Sequence, residues 1–197
     1  MEVLIMRLVQ DWGINDMSRG TVFVNGKPIK SYSVWNSMIT RCHSAKQLMK
    51  DPTYKGVKIH PSWKYFSNFK RWFDVNYIEG FSLDKDLLIQ GSKRYSPATC
   101  TFVPQSLNAL FTDSAAIRGL YPIGVSWHKR DCHFRCHLNE NGKRKHIGSY
   151  HTVEEASVAY QIAKREYVLS EMERYRVEYP DNEKLMMLID VVEDRWL

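Results

Sequence analysis

The 197-residue sequence predicts an α+β chain in two parts. The first part combines aromatic-rich helices with a strand, strand and helix unit, and the second is a three-stranded antiparallel sheet packed on a helix. Three observations carry this. Aromatic residues recur at helical spacing before residue 75, apolar and polar residues alternate between residues 124 and 150, and Thr152 with Glu155 opens a helical pattern as a capping box.

Composition sets the bounds. An apolar fraction of 44% with 13% aromatics is enough to build a core. Twenty-eight Lys and Arg against 22 Asp and Glu give a net charge of +6, a basic bias that suits a polyanionic partner. Four cysteines at positions 42, 100, 132 and 136 form no CxxC pair and no disulfide framework. The opening MEVLIMRLVQDW lacks the basic start and long apolar run of a secretory signal, and no window reaches the length of a membrane span. The expectation is a soluble protein of a reducing, cytoplasmic interior with no membrane partner.

Element by element, residues 1–30 hold a short strand-like start and then TVFVNGKPI, where Asn25-Gly26 marks a hairpin turn. Trp35, Met38, Ile39 and Cys42 share one helical face over Tyr32–Cys42. Trp63, Phe66, Phe69 and Phe73 repeat the pattern from Pro61, which suits a first helical turn. Both stripes read as core. FSLDKDLLIQG reads as a strand and turn, and TCTFVPQSLNALF as a strand entering a helix after Pro104. Small polar residues make 112–120 the expected linker between a first domain, 1–111, and a second, 121–181. Leu185, Leu188, Ile189 and Val192 predict a last helix over 182–197, packing on the body or, as the lesser reading, on a second copy.

The stretch 124–160 is dense in His, Cys, Lys and Arg. Alternation places Cys132, Phe134, Cys136 and Leu138 on one face of a strand and His133, Arg135 and His137 on the other. Asn139–Gly142 supplies a turn, and a second strand runs over Lys143–Tyr150. Four residues along a strand separate Cys132 from Cys136 by ~13 Å at ~3.3 Å per residue. One tetrahedral ion cannot reach both at ~2.3 Å. Both cysteines therefore read as small core residues, with a site completed across strands as the minor alternative. On the opposite face, Ser126, His128 and Arg130 lie before His133, Arg135 and His137, with Arg144 and His146 beyond. That surface reads either as a solvated face or as a nucleic-acid reader, in which Arg contacts guanine edges and phosphates.

The order GVSW, HFRCHL, NGK and IGSYHTVEEASVAY resembles the plant ethylene-response-factor (APETALA-type) DNA-binding domain over about Tyr121–Tyr167, with Phe134 where that family usually has Trp. The resemblance implies double-stranded DNA as partner and places its DNA-facing positions on Arg130, His133, Arg135, His137, Arg144 and His146; His128 joins them by alternation.

Trp35, Met38, Ile39, Arg41 and Cys42, then TYKG at Thr53–Gly56, Trp63, Phe66, Phe69 and Trp72, LDKDLL at Leu83–Leu88 and the segment Tyr95–Asn108 together resemble phage homing endonucleases of HNH type. The resemblance implies a ββα site around one Mg²⁺ or Mn²⁺, with the ligand positions on Asp84 and Asn108. The family's general-base histidine falls on Lys85, whose charge suits a clamp on a phosphate better than proton abstraction. Three readings stand: Asp84 and Asp86 as turn carboxylates, a metal-dependent nickase using another group such as His60 or His43, and a retained fold without catalysis. The expectation is a phage- or mobile-element-type DNA-binding protein, with a divalent-metal-dependent nickase carrying a degenerate HNH site as one form of it. The alternative is a non-catalytic interaction protein, such as a phage counter-defence factor, whose partner is a host or phage protein.

Overall fold

The computed structural model describes residues 7–89, 91–111 and 119–196. The chain divides into two compact units, Met1–Val103 and Pro104–Leu197. Residues 112–118 of the expected linker lie outside the described residues.

The first unit opens with β1 (Arg7–Val9) antiparallel to β2 (Gly13–Asn15), then a short α1 (Arg19–Val22). A hairpin of β3 (Phe23–Val24) and β4 (Lys27–Pro28) turns on Asn25 and Gly26, both at positive φ as the Asn-Gly pair predicts. Helix α2 (Lys30–His43) is followed by α3 (Ala45–Lys50), β5 (Lys58–Ile59) and α4 (Phe66–Asn76). Strands β6 (Phe81–Asp84), β7 (Arg94–Tyr95) and β8 (Thr101–Pro104) complete it, with β5 parallel to β7 and β6 beside β8.

Both aromatic stripes are core. Trp35, Met38, Ile39, Trp63, Phe66 and Phe69 are fully buried where α2 packs on α4. The Trp35 indole N–H donates to the Trp63 carbonyl at 2.8 Å, so the buried polar atom of each is satisfied. The helix expected from Pro61 differs: Pro61–Lys64 is a 3₁₀ turn, and the α-helix begins only at Phe66. Tyr65 is drawn into an extended conformation by a parallel bridge to Ile14, which interrupts the helix. Asp16 then caps α4 by accepting from the Ser67 N–H at 2.9 Å and hydroxyl at 2.5 Å.

The second unit runs α5 (Gln105–Phe111), β9 (Val125–His128), β10 (His133–Glu140), β11 (Lys143–Tyr150), α6 (Val153–Glu178) and α7 (Glu183–Trp196). The sheet is antiparallel in the order β11-β10-β9, and α6 packs across one face. Asn141 and Gly142, both at positive φ, form the two-residue turn between β10 and β11. Thr152 and Glu155 close the expected capping box: the Thr152 hydroxyl accepts from Glu155 N–H at 3.1 Å, and the Glu155 carboxylate accepts from Thr152 N–H at 3.2 Å.

Val125, Cys136, Leu138, Ala156 and Tyr160 form the core between sheet and helix. Gly124 is required there. Its φ is +76°, and a Cβ would stand 2.1 Å from Cδ2 of Tyr160. Helix α7 packs back on α6, burying Leu185, Leu188, Ile189 and Val192. Arg176 ties the two helices by ion pairs to Asp190 at 3.1 Å and Glu193 at 2.7 Å.

Candidate nucleic-acid interface

The sheet face turned away from α6 collects the residues singled out by alternation. Cross-strand pairs are His128 with His133, Ser126 with Arg135, His137 with His146, and Asn139 with Arg144. A β-bulge at Ile147 interrupts the alternation, because Cys136 pairs with Gly148 while His137 pairs with His146. One extra residue lets both Ile147 and Tyr150 turn toward the core, and keeps Arg144 and His146 on the outer face.

Two sequence expectations are corrected here. Arg130 lies in the turn Lys129–Cys132 rather than on β9, with its side chain 84% exposed. Cys132 is exposed, in the same turn, with φ of +51°; the chain reverses through it, so it never enters the alternation of β10. Cys136 alone of the pair is a core residue, at 0% exposure.

Charge is distributed unevenly across the unit. Between Gly124 and His151 six Lys or Arg face two acids, whereas α6 behind carries six Glu against four Lys or Arg. Of the sheet's six, Arg135 and Arg144 stand on the outer face and Arg130 in the turn at its edge, whereas Lys145 lies opposite the core residue Leu138. At that turn, Asp131 gathers three of the basic groups. Its carboxylate accepts from Arg130 at 2.8 Å and from Arg135 at 2.6 Å, and lies 3.1 Å from His128 Nδ1 outside hydrogen-bonding geometry. The Arg130 hydrogen bond above all, with that of Arg135 and the charge of His128 added, holds its carboxyl below the usual range against the opposing effect of desolvation.

The histidines sit in pairs. His133 and His151 rings lie 4.7 Å apart, and those of His137 and His146 5.0 Å apart. His133 Nδ1 also contacts the Asp131 carbonyl oxygen. Arg144 donates to His137 Nδ1 at 3.2 Å, which requires a neutral ring. Burial, then the charges of Arg144, His146 and Arg135, push the His137 imidazole below its ordinary range. Among the described residues no set of three His, Cys, Asp or Glu side chains could hold a metal ion.

In the first unit, β6 and β8 supply the expected strand, loop and strand, and α5 follows β8 directly. Asp84 ends β6 in the first unit, whereas Asn108 is on α5 in the second. One oxygen of Asp84 accepts the N–H groups of Asp86 and Leu87, each at 2.7 Å, the geometry of a turn carboxylate. Burial raises its pKa, opposed by those two hydrogen bonds. Lys85 is only 8% exposed, and its ammonium donates to Asp86 at 2.6 Å and to the Ser92 carbonyl at 3.0 Å. The same ammonium lies 5.9 Å from the ring centres of Tyr54 and Tyr95. His60 caps its own 3₁₀ turn through Ser62, and His43 stacks on Trp12 at 4.8 Å.

Asp131 and His151 are the site residues that sequence reasoning missed. A lone acid inside a basic run, four residues before an arginine, is the signal that points to Asp131. Compared with family models, curated proteins and solved structures, the chain matches none.

Proposed function

We propose that the chain binds duplex DNA, laying the outer face of β9, β10 and β11 in the major groove. The observation that carries this reading is the segregation of charge: arginines and histidines on the open sheet face, glutamates on the helix behind it. Three strands at ~4.8 Å spacing span about 10 Å, which a major groove of about 12 Å accepts. Arg144 and Arg135 supply base-edge or phosphate contacts, and Arg130, at the turn, reaches the backbone. The sheet and the helix behind it are those expected from the likeness to ethylene-response-factor domains.

The test is fluorescence anisotropy of a labelled duplex over a salt series. Arg135→Ala with Arg144→Ala should weaken binding and flatten the dependence of log K on log salt by up to ~1.8, at ~0.9 per phosphate contact. Unchanged affinity in a folded double variant refutes the assignment.

For the first unit, two observations favour a role without cutting over a metal-dependent HNH-like nickase. One Asp84 oxygen is committed to its own turn, and the Lys85 ammonium to Asp86 and Ser92. The unit then contributes to binding DNA or a host or phage protein. Plasmid nicking in Mg²⁺ or Mn²⁺ decides between them: nicking that disappears in Asp84→Ala would establish the nickase.

A further inference from the structure

The second unit contains a cleft of 970 Å³ beside the β10 edge. Strand β9 pairs with β10 only as far as Cys136; the His137 N–H then bonds to the Gly124 carbonyl at 2.8 Å. Beyond that bond, among the described residues, the β9-side edge of β10 has no strand beside it, and the cleft opens there. Its volume is within the range of small-molecule sites.

The lining is chemically one-sided. Tyr121, Trp127, Tyr160 and Tyr167 provide aromatic walls, Lys164 and Arg144 provide full positive charge, and among the described residues no Asp or Glu contributes. Tyr160, Lys164 and Tyr167 follow one another on one face of α6. Trp127 packs against Phe134, with ring centres 4.8 Å apart, and remains 41% exposed. Lys164 is half-buried, and among the described residues its ammonium has no hydrogen-bonding or ionic partner. Burial alone lowers its pKa. A half-desolvated ammonium without a counter-charge is unfavourable, and an anion in the cleft would relieve that cost.

We propose that this cleft binds a small organic anion with a planar aromatic body, its anionic group held by Lys164 and its ring against Trp127. The chemistry is shared by nucleoside monophosphates and aromatic carboxylates. The cleft shares Arg144 with the outer sheet face, but its anion-holding group, Lys164, is not among the residues assigned to DNA, so the proposal does not rest on DNA binding.

The experiment is isothermal titration calorimetry of the full chain with adenosine monophosphate and with 1-naphthoate, using adenosine and inorganic phosphate as controls. At least one of the two aromatic anions should bind, and which one does identifies the source. Adenosine should bind about tenfold more weakly than its monophosphate if the nucleotide is the ligand. Lys164→Met should weaken binding about tenfold or more, and Lys164→Arg should restore most of it. Mass-spectrometric amine labelling of the unaltered protein adds a measurement that needs no variant: the bound anion should protect Lys164. Binding of neither aromatic anion, inorganic phosphate binding as tightly as either, an unaffected Lys164→Met variant, or unprotected Lys164 would each overturn the proposal.

Discussion

Replacing Asp131 with Asn should strengthen duplex binding. The Asp131 carboxylate holds the guanidinium groups of Arg130 in the turn and Arg135 on the sheet face at 2.8 and 2.6 Å, so both are partly neutralised before DNA arrives. An amide has the same shape, without the charge that competes with phosphate for them. Each arginine freed to meet a phosphate steepens the log–log salt dependence by ~0.9. Over a fourfold rise in salt, from about 50 to about 200 mM, one such contact is worth about 3.5-fold in affinity, and two are worth about twelvefold. Asp131→Asn should therefore bind more tightly at low salt and lose affinity faster as salt rises, with a slope steeper by ~1 to ~2. Anisotropy of a labelled duplex at four or five salt concentrations measures both quantities, and circular dichroism checks the fold. Weaker binding, or an unchanged slope in a folded variant, would mean that Arg130 and Arg135 do not meet phosphates.

Other outcomes follow from the same geometry. Duplex affinity, measured at constant ionic strength, should rise toward acid pH, as the His137 imidazole on the sheet face, held below its ordinary range by burial and then by Arg144, gains charge. A profile that stays flat to the acid end would place His137 away from DNA. For folding the sign is opposite. With its folded pKa depressed, the stability His137 contributes is complete above its unfolded value near ~6.5, and is lost as pH falls through the folded value. Urea denaturation of the wild type and of His137→Gln across that window reads the difference. Gly124→Ala should cost about 3 kcal/mol in urea denaturation, since the new Cβ would meet Tyr160 at 2.1 Å in a positive-φ backbone. A variant as stable as the wild type would show that Tyr160 is free to move aside.

Much of the second unit was legible in the chain alone, because the signals are short-range. Alternation in HFRCHL, the Asn141-Gly142 turn and the Thr152–Glu155 capping box each act within a few residues, and each stands where expected. The aromatic stripes of α2 and α4 were equally legible, since a helix that buries one face must repeat it every three or four residues. Other features needed contacts between segments that local pattern does not join. The bulge at Ile147 exists because Ile147 and Tyr150 both turn to the same core. The helix from Pro61 was interrupted by a bridge to Ile14, some fifty residues away in the chain. Cys132 was misplaced because alternation marks faces without marking where a strand begins. Residue types alone thus located the cationic face. Tertiary structure decided which of its charges are already paired, because an ion pair depends on a few ångströms between atoms and sequence spacing does not resolve that distance.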